Sequence, residues 1–289
     1  MATRETAVNA TAMTRPSRER SAGMLQVMRV IWLREMLVYS RDRGRVISSL
    51  IFPLLMLVFF GEGLRSSIGN LGADINYLQF IFPGIIAMNI LFTSVFAGTT
   101  IIWDRQFGFL REILVAPISR LAIGAGKVLG GATIAVFQGC VLFALAPLVG
   151  IDLSISVMVQ LLGVMIVMAL TMTSVGIAIA SRMKSVESFQ MVTQMTIMPM
   201  MFLSGMFFPV NNVPGWMEVL IKVNPITYAV APLRAIALDK ELAGMPGADN
   251  LVNVHLFGHT LTTLEELAIL AAFGAVMLMI AVQSFRKTG

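Results

Sequence analysis

The pair His255 and His259 is the first place where residue type and spacing suggest chemistry, because an i, i+4 pair on a helix turns two imidazoles toward one metal ion. Gly258 interrupts such a helix and no Glu follows the first histidine, so the two read as loop residues. The one cysteine, Cys140, lies inside an apolar run and can form neither an intrachain disulfide nor a thiolate metal site. No Ser-His-Asp set, His-Cys pair or paired intramembrane carboxylates can be assembled. A P-loop needs Gly-x-x-x-x-Gly-Lys followed by Ser or Thr to hold phosphates and magnesium. The nearest string, 121–128, has Gly126-Lys127 but lacks the first glycine and the hydroxyl. The chain is therefore expected to be non-catalytic, with no metal and no cofactor of its own.

What must position these residues is a membrane. Of 289 residues, 57% are hydrophobic and 13% charged, and mean hydropathy is +0.82. Soluble domains carry about 25% charged residues. A net charge of +5 would suit a nucleic-acid binder, but the excess of Lys and Arg on the cytoplasmic side of membrane proteins gives the same sign, and no nucleic acid is expected. A charge at the bilayer centre costs roughly 2.5–3.5 kcal/mol, so charge-free runs mark the spans. They predict an all-α polytopic fold with six transmembrane helices at about 46–63, 79–103, 125–149, 157–181, 188–208 and 265–285. The domain from 44 to 289 holds all six. Pro53, Pro83 and Pro199 are expected to kink or tilt their spans.

Lys and Arg fix the orientation. Seventeen fall in the N-terminal region, the 104–127 loop, the 182–187 loop and the C-terminus, whereas only Arg65, Lys222, Arg234 and Lys240 lie on the other side. Both termini are thus expected in the cytoplasm. The polar segment 1–23 lacks an apolar signal-peptide core and reads as a disordered cytoplasmic tail. The link around Asp152 is short enough to force spans three and four into an antiparallel hairpin. The external segment before span six is long and begins as an apolar, Pro-broken stretch around Pro209 and Pro214. It reads as re-entrant, since irregular backbone at membrane depth must be buried in protein or line a cavity.

Residues 24–43 form an amphipathic interfacial helix by the same logic. Met24, Val27, Met28, Ile31, Trp32, Val38 and Tyr39 share one side at 100° per residue, with Gln26, Arg29, Arg34 and Arg41 opposite. Glu35 falls in the middle of the apolar side and requires a partner, a second subunit being one source, while Leu33 and Leu37 fall on the polar side. In the 104–127 loop, Phe107, Leu110 and Leu114 have helical spacing and Pro117 supplies a stop. That short helix suits either a solvated connector or a handle for a soluble partner.

Among the polar residues within the spans, Asn89, Thr93, Gln138, Gln190, Thr193 and Gln194 are the candidates for a site. They would line a substrate path or hydrogen-bond between helices. Gly126 and Gly130 form a Gly-x-x-x-Gly packing surface. The spans hold essentially no acids or bases, so ion-coupled transport lacks its usual machinery and energy must enter from elsewhere.

Asp104-Arg105, Gly108, the run Arg111-Glu112-Ile113-Leu114-Val115-Ala116-Pro117-Ile118-Ser119-Arg120, and Gly126-Lys127 together resemble the first cytoplasmic loop of ABC-2 type transporter permeases. A second block agrees: Leu203-Ser204-Gly205-Met206-Phe207-Phe208-Pro209, Pro214-Gly215-Trp216, then Asn224-Pro225-Ile226-Thr227-Tyr228 and Arg234. The resemblance runs from about residue 24 to the end. It implies a membrane subunit that pairs with a second permease subunit, as a homodimer, and docks two copies of a separate ATPase subunit holding ATP and Mg. Asp104, Arg105, Gly108, Arg111, Glu112, Pro117 and Arg120 would then couple to the ATPase, with Glu35 on the preceding interfacial helix as a second contact. The location implied is the inner or plasma membrane of a prokaryote, among its lipids. Within the family the chain most resembles the daunorubicin-exporter type, implying an amphipathic drug, antibiotic or lipid-like cargo. Export of a polysaccharide or lipid-linked glycan is the alternative. A membrane-embedded enzyme and an ion-coupled carrier are more remote ones.

Overall fold

A computed structural model describes residues 23–63, 77–108, 119–151, 153–207, 213–239, 255–256 and 259–287. The helices in chain order are α1 (Met24–Arg41), α2 (Arg43–Gly63), α3 (Tyr77–Phe96), α4 (Thr99–Gln106), α5 (Arg120–Phe143) and α6 (Ala146–Val149). They continue with α7 (Ile155–Ala180), α8 (Val186–Phe202), α9 (Gly215–Val223), α10 (Thr227–Ala237) and α11 (Thr263–Lys287). A two-stranded antiparallel ladder, β1 (His255–Leu256) and β2 (His259–Thr260), precedes α11. His255 and His259 thus sit on two strands, where i, i+4 helical geometry does not apply. Among the described residues no group of His, Cys, Asp or Glu could hold a metal ion.

Among the described residues, four helical segments are long and apolar enough to span a bilayer: Tyr77–Gln106, Arg120–Phe143, Ile155–Ala180 and Thr263–Ser284. Two bent pairs, α1 with α2 and α9 with α10, meet the same test only when each pair is taken together. The fold is therefore a helical membrane bundle with four to six candidate spans. α7 lies at its centre and packs against α3, α5, α10 and α11. Small residues permit the close crossings. A Cβ on Gly176 of α7 would run into the backbone of Val95, one on Gly98 into Gly176, and one on Gly274 of α11 into Thr171.

The second span is longer than expected. α3 and α4 meet at Ala97-Gly98 and together cover 30 residues, or roughly 45 Å at 1.5 Å per residue, against a hydrocarbon core of about 30 Å. Asp104, Arg105 and Gln106, expected to open the loop, are instead the last turn of this helix. At the break, Thr99 and Thr100 hydroxyls donate to the carbonyls of Phe96 and Ala97 at 2.7 and 2.9 Å, so the kink leaves those groups paired. The helix ends at Gly108, whose φ of +80° is the left-handed conformation that suits glycine after a C-cap.

Opposite this end, α9 and α10 meet at 91° through Asn224-Pro225-Ile226. The block that seemed family-like is the chemistry of this corner. Asn224 Nδ2 donates to Met200 O at 2.6 Å while its Oδ1 accepts from Ile226 N. Thr227 and Tyr228 hydroxyls donate to Ile221 O and Lys222 O. The carbonyls of Ile221 and Lys222 at the end of α9 thereby gain side-chain donors.

Arg234 on α10, counted among charges of an external connection, is instead fully enclosed. Its guanidinium lies 3.8 Å from the Phe80 ring centroid and donates to Phe80 O, Gly205 O and Met206 O. α10 is buried along its whole length among α3, α7 and α11, so a mid-helix arginine has no route to water.

Candidate functional site

The charges that the sequence places near the first cytoplasmic loop meet in one cluster. α1 buries the stripe Val27, Ile31, Glu35 and Tyr39, one residue per turn. This stripe packs on α5, where Gly126 and Gly130 make room: a Cβ on Gly126 would meet Ile31, and one on Gly130 would meet Glu35. The expected glycine packing surface thus receives α1. Leu33 and Leu37, the apolar residues on the polar side, remain exposed. Trp32 Nε1 adds a hydrogen bond to Thr133 Oγ1 at 3.0 Å.

Close packing brings Glu35 to Lys127 of α5, with Oε1 and Nζ 2.7 Å apart. Lys127 Nζ also reaches Asp104 Oδ2 of α4 at 2.5 Å and donates to Thr100 Oγ1 at 3.2 Å. Arg34 completes the cluster, donating to Asp104 Oδ1 at 2.7 Å. Glu35, Asp104 and Lys127 are all below 8% exposed. Two acids and two bases thus balance within one chain, and Lys127 of the same chain supplies the partner that Glu35 requires. The arrangement joins α1 to both ends of the first loop: Asp104 precedes it and Lys127 follows it.

Arg105 extends the link. Its guanidinium donates to Met183 O and Ser181 O, both at 2.8 Å, closing the C-terminal end of α7 and meeting the short connection into α8. Gly108 turns the chain away from α4, Phe107 beside it is 84% exposed, and Arg120 starts α5. Arg111, Glu112 and Pro117 lie outside the described residues, as do Asp152 and Pro209.

The polar span residues divide into two groups. Asn89, Thr93 and Gln138 come together at a cavity of about 360 Å³ bounded by α1, α2, α3 and α5. Thr93 Oγ1 donates to Gln138 Oε1 at 2.6 Å, and Gln138 Nε2 donates to Tyr39 Oη and Ser49 Oγ at 2.7 and 2.8 Å. Asn89 Nδ2 donates to Ser49 O at 3.1 Å. Gln190 and Gln194 are elsewhere, on the exposed face of α8, and Thr193 is buried there. On α8 the ring of Phe189 meets that of the cavity-lining Phe96 edge-on at 6.1 Å.

Lys127 and Arg34 are site residues to which the sequence assigns no role of their own: Arg34 stands on the polar face of α1, and Lys127 enters only with Gly126 in the family-like block. The signal that points to Lys127 is Glu35, an acid on an apolar face whose other cation is its own neighbour Arg34, at 3.4 Å. Tyr39 and Ser49, equally unmarked, carry no charge or motif, and only their convergence on Gln138 reveals them.

Comparison with known proteins supplies the context for this geometry. The family model described as ABC-2 type transporter matches residues 26–238. Similar proteins include the putative transport permease ycf38 of Cyanophora paradoxa, 26% identical over 77% of this chain and 79% of its own length. The inner membrane transport permease YadH of Escherichia coli (strain K12) is 25% identical over 72% of this chain and 81% of its own. The daunorubicin resistance ABC transporter permease protein DrrB1 of Streptomyces coeruleorubidus is 24% identical over 71% and 72%.

Proposed function

Because the chain belongs to the ABC-2 type transporter family, we propose that it is the non-catalytic membrane subunit of an ATP-driven exporter. It pairs with a second copy, and a separate nucleotide-binding ATPase, two copies per assembly, docks on its cytoplasmic face and holds ATP and Mg. Its cargo is an amphipathic drug, antibiotic or lipid-like molecule leaving the cytoplasm or inner leaflet. That a relative is named for daunorubicin resistance supports this cargo class. The bias of Lys and Arg supports a cytoplasmic location for both termini in a prokaryotic inner membrane.

The observation that carries the reading is the charge cluster Arg34, Glu35, Asp104 and Lys127. Buried ion pairs hold a fixed geometry, because separating one partner strands the other without solvent. A displacement of the loop between α4 and α5 must therefore move α1, α4 and α5 as one body. Of those elements α1 and α5, with α2 and α3, wall the polar cavity, and Arg105 carries the same displacement to the α7–α8 connection. Gly108 gives the loop its departure angle, and Arg111, Glu112 and Pro117 belong to the surface that meets the ATPase.

The test is co-purification with an ATPase and cargo-stimulated ATP hydrolysis in lipid vesicles. Gly108→Val forces a β-branched residue into φ +80° and is expected to abolish transport while leaving membrane insertion and basal hydrolysis. The pair Arg111→Ala and Glu112→Ala should behave alike. Full transport in both would sink the coupling assignment.

A further inference from the structure

One side chain ties α5 to three other helices. Gln138 is only 1% exposed. Its Nε2 donates to Tyr39 Oη of α1 and Ser49 Oγ of α2, and its Oε1 accepts from Thr93 of α3. The amide orientation is fixed, because Ser49 Oγ spends its own proton on Val46 O and can only accept from Gln138. Asn89 of α3 adds a bond to Ser49 O. Tyr39, Ser49, Thr93 and Gln138 all line the cavity, so the spacing of their helices sets its shape.

This neutral tier lies farther from the loop than the charged one, on the same seam. Lys127 and Gln138 are eleven residues apart on α5, close to three turns or roughly 16 Å, and so share one face. The span facing them repeats the interval, with Asp104 on Lys127 and Thr93 on Gln138. On α1, Glu35 and Tyr39 of the buried stripe serve the two tiers. α1 and α5 run unbroken from one tier to the other, whereas the second span is interrupted between them at Ala97-Gly98.

The tiers also differ in strength. Parting the charged groups strands a buried charge, so a displaced loop carries that tier with it. Neutral amides and hydroxyls exchange partners at modest cost. If the second span flexes at its break, what still makes α3 and α2 follow α5 is the Gln138 amide.

We propose that Gln138 is a positioning residue for export: through Thr93 and Ser49 it makes α3 and α2 follow the displacement that α1 and α5 receive from the loop, and so reshapes the cavity in each ATP cycle. This role rests on the export reading and adds to it the residue that carries motion past the break in the second span.

The full chain assembled with its ATPase in lipid nanodiscs tests it. In a Cys140→Ser background, a nitroxide is placed at Phe107→Cys beside the loop or at Ser48→Cys on the cavity rim, both exposed positions. ATP with vanadate should change the electron paramagnetic resonance spectrum at both. Gln138→Leu should keep the Phe107 response and reduce the Ser48 response by about threefold or more, the population equivalent of one neutral hydrogen bond. Thr93→Val, close in shape but without the donor, should do the same, and Thr93→Ser, which keeps the hydroxyl, should preserve the Ser48 response. The Thr93 pair decides alone if Gln138→Leu does not assemble. A merely structural amide would lower the unfolding midpoint and leave both responses. That result, loss of both responses together, Thr93→Ser behaving like Thr93→Val, or a Ser48 label silent while the Phe107 label responds in the otherwise native chain, overturns the proposal with the export reading intact. Silence at Phe107 in that chain removes the export reading, and this role with it.

Discussion

At the residue scale the informative groups are charges where the environment should forbid them. Lys127 is enclosed by Glu35, Asp104 and Thr100, and removing it leaves two buried carboxylates facing Arg34 alone. Lys127→Met is expected to lower stability by about 3–5 kcal/mol, the usual consequence of stranding buried charge, seen as a lower unfolding midpoint in detergent. Lys127→Met combined with Glu35→Gln should recover part of that loss, and strict additivity of the two changes would show that the pair is not coupled. Arg234 gives a contrasting case, a buried cation held by three carbonyls and a ring rather than by acids. Lysine has neither the planar fork nor the stacking face, so Arg234→Lys should cost roughly 1–3 kcal/mol, read as a lower midpoint in the same unfolding experiment, whereas a merely tolerated surface charge would show no change. Glu35 could be recognised from sequence as a misfit because a helix face is a local pattern. Lys127 and Arg234 stand in the family-like blocks, but their burial and partners could not be read there, since each looks like a loop or flanking charge until distant segments close over it.

At the element scale, periodicity located α1 and the hydrophobic runs of α3, α5, α7 and α11, because apolar spacing and charge-free length are properties of one segment. It did not show that α1 would spend its apolar stripe on α5, or that the last turn of α4 would include Asp104 and Arg105. Those outcomes depend on which surfaces meet, and the small residues decide it. Gly130 admits Glu35 so closely that even a Cβ would press on that side chain's Cβ and Cγ, at 2.8 and 2.9 Å. Gly130→Leu must therefore push α1 away from α5 and separate Glu35 from Lys127. Overpacking of this kind costs typically about 1–3 kcal/mol, and here it acts on the element that ties α1 to the loop. Transport should fall with insertion retained, and a cysteine at Met28, whose carbonyl approaches Gly126, should become more reactive to maleimide. Unchanged transport and reactivity would mean that α1 moves independently of α5.

At the scale of the whole molecule, the number of bilayer crossings sets which surfaces face the cytoplasm. Charge-free runs give six spans, whereas four helical segments alone meet a spanning length, with α1–α2 and α9–α10 as bent pairs. α8 is the decisive element. Its 17 residues extend roughly 26 Å, short of a hydrocarbon core of about 30 Å, yet the turn at Leu203–Gly205 continues it toward the apolar Met206 and Phe207. Mismatch of a few ångströms costs only fractions of a kcal/mol per ångström, so the helix can still cross. If it does, Lys184 before it and Trp216 after it face opposite sides, and Phe107 shares the side of Lys184. All three are exposed, and Cys140, the one native thiol, is removable as Cys140→Ser. In that background, Trp216→Cys should react with a membrane-impermeant maleimide in intact cells, while Phe107→Cys and Lys184→Cys should react only after the membrane is opened. Labelling of Lys184→Cys and Trp216→Cys from the same side would make α8 a non-crossing helix and reverse the side of everything between it and α11. Labelling of Phe107→Cys in intact cells would place the loop between α4 and α5 away from ATP, and the charge cluster at its base would then have no cytoplasmic ATPase to follow.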